Sequence, residues 1–558
     1  MSGASRAVPT PANALGRARD EAALWWNTVR WLKPRQLYGR LWFRVHRPRP
    51  ELGPAPPRRA LGGGWAAPVA GAPSLLGPER VSLLDETREL SSARSWDAAE
   101  VPRLWRYHLH YFDDLTARDA SERAGWHRAL LERWIAENPP GRGTGWEPYP
   151  TSRRIVSWVK WALAGGRLSA RACDSLAAQA RWLARRLEWH LLGNHLWANA
   201  KALIVAGCFF AGEEAERWRE LGAGILLEQL GEQILPDGGH FELSPMYHAL
   251  ALEDVLDLLN VAGAWPGRLP AALAERLAAA APAMLRWLGC MCHPDGEIAL
   301  FNDSALGVAP TRAELEAYAA RLGLPRAGAP APLDHLHASG YVRAERGPFW
   351  LVADVGRVGP DYQPGHAHAD SLSFELSAFG QRWLVDSGCS TYTPGPERLR
   401  QRGTAAHNTV LVDGLDSSEV WGGFRVARRA RPRDVSVAAE GEQAVVRGAH
   451  DGYAWRGVLH RRELALGPRG LVLTDQLEGS FGRAESRLHL HPGVELEPLG
   501  PSQARLLRGG QALMLHAEGA RLACVPSSWH PGFNRSLPSS VVVSPFEGSR
   551  VRLRLEVA

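Results

Sequence analysis

From about Pro102 to Leu324 apolar residues recur with a period near 3.6, in amphipathic segments of roughly ten to twenty residues parted by short Gly, Pro or Asp breaks. The pattern predicts helices over Glu122–Glu137, Ser152–Ala164, Ala170–Leu187, His195–Ala211, Glu214–Leu235, Met246–Ala262, Ala271–Leu288 and Arg312–Arg321. Repeated antiparallel helical hairpins close into a ring or solenoid with one open mouth. The clearest boundary is Pro325–Pro332 (Pro-Arg-Ala-Gly-Ala-Pro-Ala-Pro), beyond which the period falls to 2. Tyr341–Glu345 and Phe349–Val355 flank a Gly347-Pro348 turn, and Val435–Ala438, Ala444–Arg447, Leu471–Thr474, Ser486–His491 and Val551–Val557 alternate in the same way. Short alternating runs with Gly, Asp and Pro at their turns predict a large antiparallel β-sandwich. At the other end, residues 21–46 are aromatic-rich and predicted helical on either side of Pro34, and Arg47–Pro78 reads as a Pro/Gly/Ala-rich strap. Three units follow: 1–80 (aromatic helix and strap), 81–333 (helical ring) and 334–558 (antiparallel β-sheet).

Length agrees with this division, since 558 residues exceed what one core holds. The composition is that of a soluble globular protein, 45% hydrophobic and 22% charged, with mean hydropathy −0.23. A net charge of +6 and a pI near 9.1 would favour an acidic polymer. Yet only Lys33, Lys160 and Lys201 are lysines, an arginine bias that reflects coding composition more than a partner. No compact Lys/Arg run indicates nucleic acid. The six cysteines are sparse and set among apolar residues, which argues against a disulfide framework; Cys290-Met291-Cys292-His293 closes an apolar helix and reads as buried thiols. Met1–Asp20 shows no secretory signal pattern and no apolar run is long enough to span a bilayer, so a cytoplasmic location is expected.

Candidate chemistry concentrates in Gly365–Val410, which opens Gly-His-Ala-His-Ala-Asp and closes Thr-Ala-Ala-His-Asn-Thr-Val. On an extended segment His366 and His368 point the same way, and Asp386 and His407 could fold back to meet them. Imidazoles and a carboxylate converging in this way make a divalent-metal site, zinc by default and manganese as the alternative; the bland reading is a solvated sheet face. The helical half has a polar cluster of its own. Asn194 and His195 begin one helix, where Asn194 also suits an N-cap. Ser244 and Pro245 fit the N-cap and first position of another, which puts Tyr247 and His248 at a mouth. Earlier, Tyr107, His108, Tyr111, Trp146, Tyr149 and Arg154 suit either stacking on an acidic sugar chain or packing between helices.

Taken together, Gly193–Leu203 (Gly-Asn-His-Leu-Trp-Ala-Asn-Ala-Lys-Ala-Leu), Ser244–His248, Phe301–Ser304 (Phe-Asn-Asp-Ser), Gly365–Leu376, Val385–Gly388 and His407–Val410 resemble the heparinase II/III-like polysaccharide lyases, a group that includes heparin/heparan, chondroitin-type and alginate lyases. The resemblance implies an incomplete (α/α) toroid followed by an antiparallel β-sandwich, with the active site in the cleft between them. It implies β-elimination on an acidic, uronate-containing polysaccharide. Asn194 and His195, helped by His366, would clamp the uronate carboxylate. Tyr247 would serve as base, acid or both. It further implies one divalent metal, zinc or manganese, held by His368, Asp386 and His407 in a structural role. His248, Arg154, Tyr149, Trp197, Tyr392, Arg398 and Arg402 complete the expected substrate-binding and phenolate-supporting set. Many relatives are exported, which the sequence does not suggest here. The competing readings are a metallohydrolase built on His366-x-His368-x-Asp370, although Ser371 stands where that pattern needs histidine, and a non-catalytic polysaccharide-binding protein.

Overall fold

Helix starts are set by the polar residues before them. The computed structural model describes the backbone of residues 11–558 and side chains from Arg19 onward, so the first ten residues of the expected 1–80 unit lie outside the described residues. Two N-terminal helices, α1 (Pro11–Val29) and α2 (Pro34–Val45), precede the helical ring. The ring comprises α3 (Arg103–Leu109), α4 (Ala124–Glu137), α5 (Pro148–Leu163), α6 (Ala170–Ala184), α7 (Gly193–Phe209), α8 (Glu213–Gln233), α9 (Pro245–Ala264), α10 (Ala271–Cys290) and α11 (Arg312–Arg321). Ser169 caps α6 by accepting the Ala172 N–H, Ser244 caps α9 by accepting the Tyr247 N–H, and Thr311 with Glu314 closes a reciprocal capping box on α11. α7 is buried over almost its whole length because α5, α6, α8 and α9 surround it. At Gly207 a Cβ would stand 2.5 Å from the Ala215 carbonyl oxygen, so only glycine permits this approach of α7 to α8. The central helices are also fastened by charge: Lys160 and Lys201 both bind Asp257, and Lys201 also binds Asp254.

The strap lies on this ring. The Arg59 N–H donates to the Phe209 carbonyl (2.8 Å) and the Ala66 N–H to Asn260 Oδ1 (3.0 Å).

The second unit is built on a five-stranded antiparallel meander, Leu333–Leu336, Tyr341–Arg346, Phe349–Asp354, Phe374–Ala378 and Gln381–Leu384. It faces an eight-stranded sheet that includes Gln443–His450, Leu459–Gly467 and Arg550–Val557. Leu351, Phe374 and Leu376 share an apolar core with Leu464, Leu473 and Leu553 between them. The two units adhere through a third cluster, in which Leu243, Trp287 and Phe301 pack on Tyr341, Trp350 and Val352.

One local expectation is corrected. His366 and His368 do not lie on a strand, since the strand begins only at Phe374. A turn closed by the Ser373 N–H to the Asp370 carbonyl (2.8 Å), with Leu372 at φ +62°, interrupts the alternating run. The two imidazoles still face one place because a carboxylate holds both, as described next.

Candidate active site

The Phe301-Asn302-Asp303-Ser304 turn joins the start of α9 to the histidine loop. Ser304 Oγ lies 3.0 Å from the Ser244 Oγ that caps α9, and Asn302 Oδ1 accepts the His368 backbone N–H at 3.0 Å. Asp303 is fully buried and receives His366 Nδ1–H (2.9 Å), His368 Nε2–H (2.9 Å) and both terminal nitrogens of Arg398. Burial alone would raise its pKa, but the Arg398 charge and the hydrogen bonds from His366, His368 and Arg398 hold it well below the usual range. An ionised carboxylate only accepts, so both imidazoles donate to it. Nε2 of His366 is the ring nitrogen left to face the site.

Around His366 the site closes from both units. The Tyr247 ring lies 4.0 Å from the His366 ring, and the Tyr247 hydroxyl is 3.2 Å from that of Tyr392. Tyr392 is itself held by the Arg398 guanidinium (4.9 Å), Phe424 (5.3 Å) and Phe533 (4.8 Å). On the ring side, Glu242 Oε1 accepts the Asn194 backbone N–H (3.2 Å) while its Oε2 stands 3.6 Å from His366 Nε2. A phenol, an amide-bearing turn and an imidazole therefore surround one space. Asn194 Oδ1 and Glu242 Oε2 are buried there without a hydrogen-bond partner, the condition expected of groups that meet a ligand or water. Tyr149 continues the wall, 4.7 Å from the His195 ring and 6.0 Å from Tyr111.

Electrostatics sort these groups into roles. Burial pushes the Tyr247 phenol well above its ordinary pKa, with nearby Tyr149 adding to the effect, so it rests as the neutral acid. Burial works against a charged His195, but the Glu188 carboxylate 3.1 Å from Nδ1 outweighs it and raises the imidazole pKa. Such a histidine contributes its charge fully below its unfolded value and loses it as pH rises through the folded one. Glu188→Gln is accordingly expected to raise KM for an anionic substrate roughly tenfold near neutral pH, leaving kcat less affected. The pH at which KM rises should also move downward; a pH–KM profile unchanged from the parent would remove His195 as a charged clamp.

Several expected contacts are corrected. Arg154 is fully buried, its Nε bonded to Gln179 (3.0 Å) and its guanidinium stacked 3.8 Å from the Trp134 ring, with Trp146 packed on the same tryptophan. Arg153, one residue earlier, lies instead near Tyr111 (5.6 Å) and Tyr149 and was missed. His248 is buried and fully engaged, Nε2–H donating to the Met284 carbonyl (2.9 Å) and Nδ1 accepting from His240 (3.1 Å). Trp197 is buried in α7. Arg398 neutralises Asp303, and Arg402 is spent on the backbone carbonyls of Ala367 and Gly423; neither is exposed to meet a sugar. Glu188, Glu242 and Asp303 carry most of the site's organisation, and sequence reasoning assigned none of them a role.

The proposed metal ligands can be tested by their free atoms. His407 Nδ1–H donates to Asp386 Oδ2 at 2.6 Å, and its ring lies 5.3 Å from that of His368. His368 Nδ1, His407 Nε2 and Asp370 Oδ2 are buried without partners. Two imidazole nitrogens and a carboxylate oxygen are donor types that a divalent cation takes, although Asp386, against the effect of burial, pushes the His407 imidazole up to about 9. Among the described residues, however, no three His, Cys, Asp or Glu side chains are gathered closely enough to hold one. Asp386 in particular is already committed, to His407 and to the Gly388 N–H (3.0 Å).

A helical ring joined to a β-sandwich, with Asn, Tyr and His converging at their junction, defines the class. The model of the heparinase II/III N-terminus matches residues 167–320, and that described as heparinase II/III-like, C-terminal, matches 328–556. The chain belongs to the heparinase II/III-like family. FtsZ-localized protein C of Caulobacter vibrioides is 28% identical over 507 residues, 83% of this chain and 84% of that protein. Heparin-sulfate lyase of Bacteroides stercoris is 27% identical over 250 residues, covering 41% of this chain and 37% of the lyase. That of Bacteroides thetaiotaomicron is 25% identical over 421 residues, 65% of this chain and 56% of the lyase. A crystal structure of heparinase III shares the fold with TM-score 0.68 at 19% identity, over 83% of this chain and 79% of its own.

Proposed function

We propose that the protein is a polysaccharide lyase acting on a uronate-containing acidic polysaccharide by β-elimination. Glycosaminoglycan is the substrate class favoured by the heparin-sulfate lyase relatives; alginate and exopolysaccharides present the same uronate. The observation that carries this reading is the meeting of Tyr247, His366 and the Asn194–Glu242 turn around one space, 4.0 Å separating the first two rings. The C5 proton of a uronate is barely acidic while its carboxylate is charged, so the reaction needs donors that hold the charge developing on that group. The Asn194 amide and His195 suit this task. Asp303 orients His366 so that Nε2 takes the C5 proton, and the neutral Tyr247 phenol protonates O4 of the departing sugar, forming the 4,5 double bond without water. Tyr392 positions the phenol through its hydroxyl.

A divalent metal, zinc or manganese, would be held by His368 and His407 with Asp386 or Asp370. Its role would be structural, a fixed charge that would tie the histidine loop to the loop after Asp386. The hydrolase alternative has less support, since His366 Nδ1 is occupied by Asp303.

Incubation with a panel of uronate polymers tests the reaction. Near-ultraviolet absorbance from unsaturated ends is expected, and new reducing ends without it would mean a hydrolase. Elemental analysis of the same preparation should find one divalent ion that His368→Ala loses; undiminished occupancy would exclude His368 as a ligand.

A further inference from the structure

The helix α2 carries an apolar stripe that the fold does not cover. Its inner face is fully used: Gln36 and Gly39 are buried, Gly39 against His190, and Phe43 stacks under Arg186 at 3.6 Å. The outer face presents Tyr38, Leu41, Trp42 and Val45 at helical spacings of three and four, each between 60% and 66% exposed. Trp26 of α1 adds a further indole, 67% exposed. Side chains this apolar are ordinarily single on a soluble surface; a contiguous stripe marks a contact with something else.

Charge identifies the partner. Residues 22–50 contain seven Lys or Arg and no Asp or Glu. Arg40 and Arg44, both exposed, run along one side of the stripe beyond Leu37, and Arg425 of the β unit, stacked over Trp25 (4.8 Å) and Trp421 (4.6 Å), adds its charge near Arg40. The helix pair is pinned rather than loose: Lys33 binds Glu232, and Trp421 donates its indole N–H to Thr28 (3.0 Å). A convex row of Leu, Val, Trp and Tyr edged by arginines matches a helix lying in the headgroup layer of an anionic bilayer, with aromatic rings at the interface and guanidinium groups reaching phosphates. It does not resemble a groove that would seat a peptide. No helix among the described residues is long and apolar enough to cross a membrane, so the contact is with its surface.

We propose that α2 docks the protein peripherally on anionic lipid through Tyr38, Leu41, Trp42 and Val45, with Arg40 and Arg44 reading the lipid charge. The test is cosedimentation of the full chain with phosphatidylcholine vesicles, with and without about a third phosphatidylglycerol. Preferential binding to the anionic vesicles is expected, reversed at about 0.5 M salt. Leu41→Glu/Trp42→Glu should lower the bound fraction at least about tenfold, and Arg40→Glu/Arg44→Glu should abolish the preference for phosphatidylglycerol. Both pairs are on the surface, so circular dichroism and the thermal midpoint should match the parent. Failure to bind, equal binding by both variants, or a solution dimer that Leu41→Glu/Trp42→Glu dissociates would overturn the proposal, the last by making a second copy the occupant.

Discussion

Tyr247→Phe is expected to lower kcat on a uronate polymer by about 10²–10⁴-fold with little change in KM. The substitution removes one hydroxyl from a ring already packed 4.0 Å from His366, so the groove and its carboxylate clamp persist. What disappears is the proton for O4. Burial and the neighbouring Tyr149 keep that phenol un-ionised, which suits an acid and opposes a base. The acid role has its own signature. A synthetic uronide whose leaving group at C4 is a weakly basic nitrophenolate needs no protonation, and on it the variant should recover most of the parent rate. If the variant stays equally slow on that substrate, Tyr247 takes the C5 proton instead and His366 serves only to hold the carboxylate.

How much of this was readable before the structure depends on the kind of signal. Helical periodicity placed eight of the ring's nine helices, missing only the short Arg103–Leu109, and it gave Arg312–Arg321 to the residue, where Thr311 and Glu314 form a capping box. The extended segment expected at His366 and His368 failed because a turn such as Asp370–Ser373 leaves no trace in an alternating pattern. The exchange of Arg154 for Arg153 is instructive, since the helix pattern contained the answer. Tyr149, Arg153, Ser157 and Lys160 form one polar stripe along α5, while Arg154 shares its face with Trp158 and Trp161. Glu188 and Glu242 had no such signal. Each lies in a connection between helices and acquires its role only when the ring closes and brings it to His195 or Asn194. The same holds for Arg398 and Arg402, which look like substrate ligands in the sequence and are in fact internal counter-charges. Asp303 stood inside a recognised motif, but only its four bonds give it a task.

That task makes Asp303 the site's most consequential single carboxylate. Asp303→Asn leaves the volume unchanged but removes the counter-charge of a fully buried Arg398, and breaking one side of such a pair costs about 3–5 kcal/mol. Chemical denaturation should show a loss of that order, and activity should fall below detection. Stability and positioning can then be separated. In Asp303→Asn/Arg398→Met no buried charge is left alone, and most of the lost stability should return, since replacing both partners of a buried pair is often close to neutral. Activity should not return, because an amide keeps a single acceptor oxygen, so His366 Nδ1–H and His368 Nε2–H can no longer both be aimed by residue 303. A double variant that regained the parent rate along with its stability would mean that Asp303 merely neutralises Arg398, and that His366 reaches its working orientation through Tyr247 and Glu242 alone.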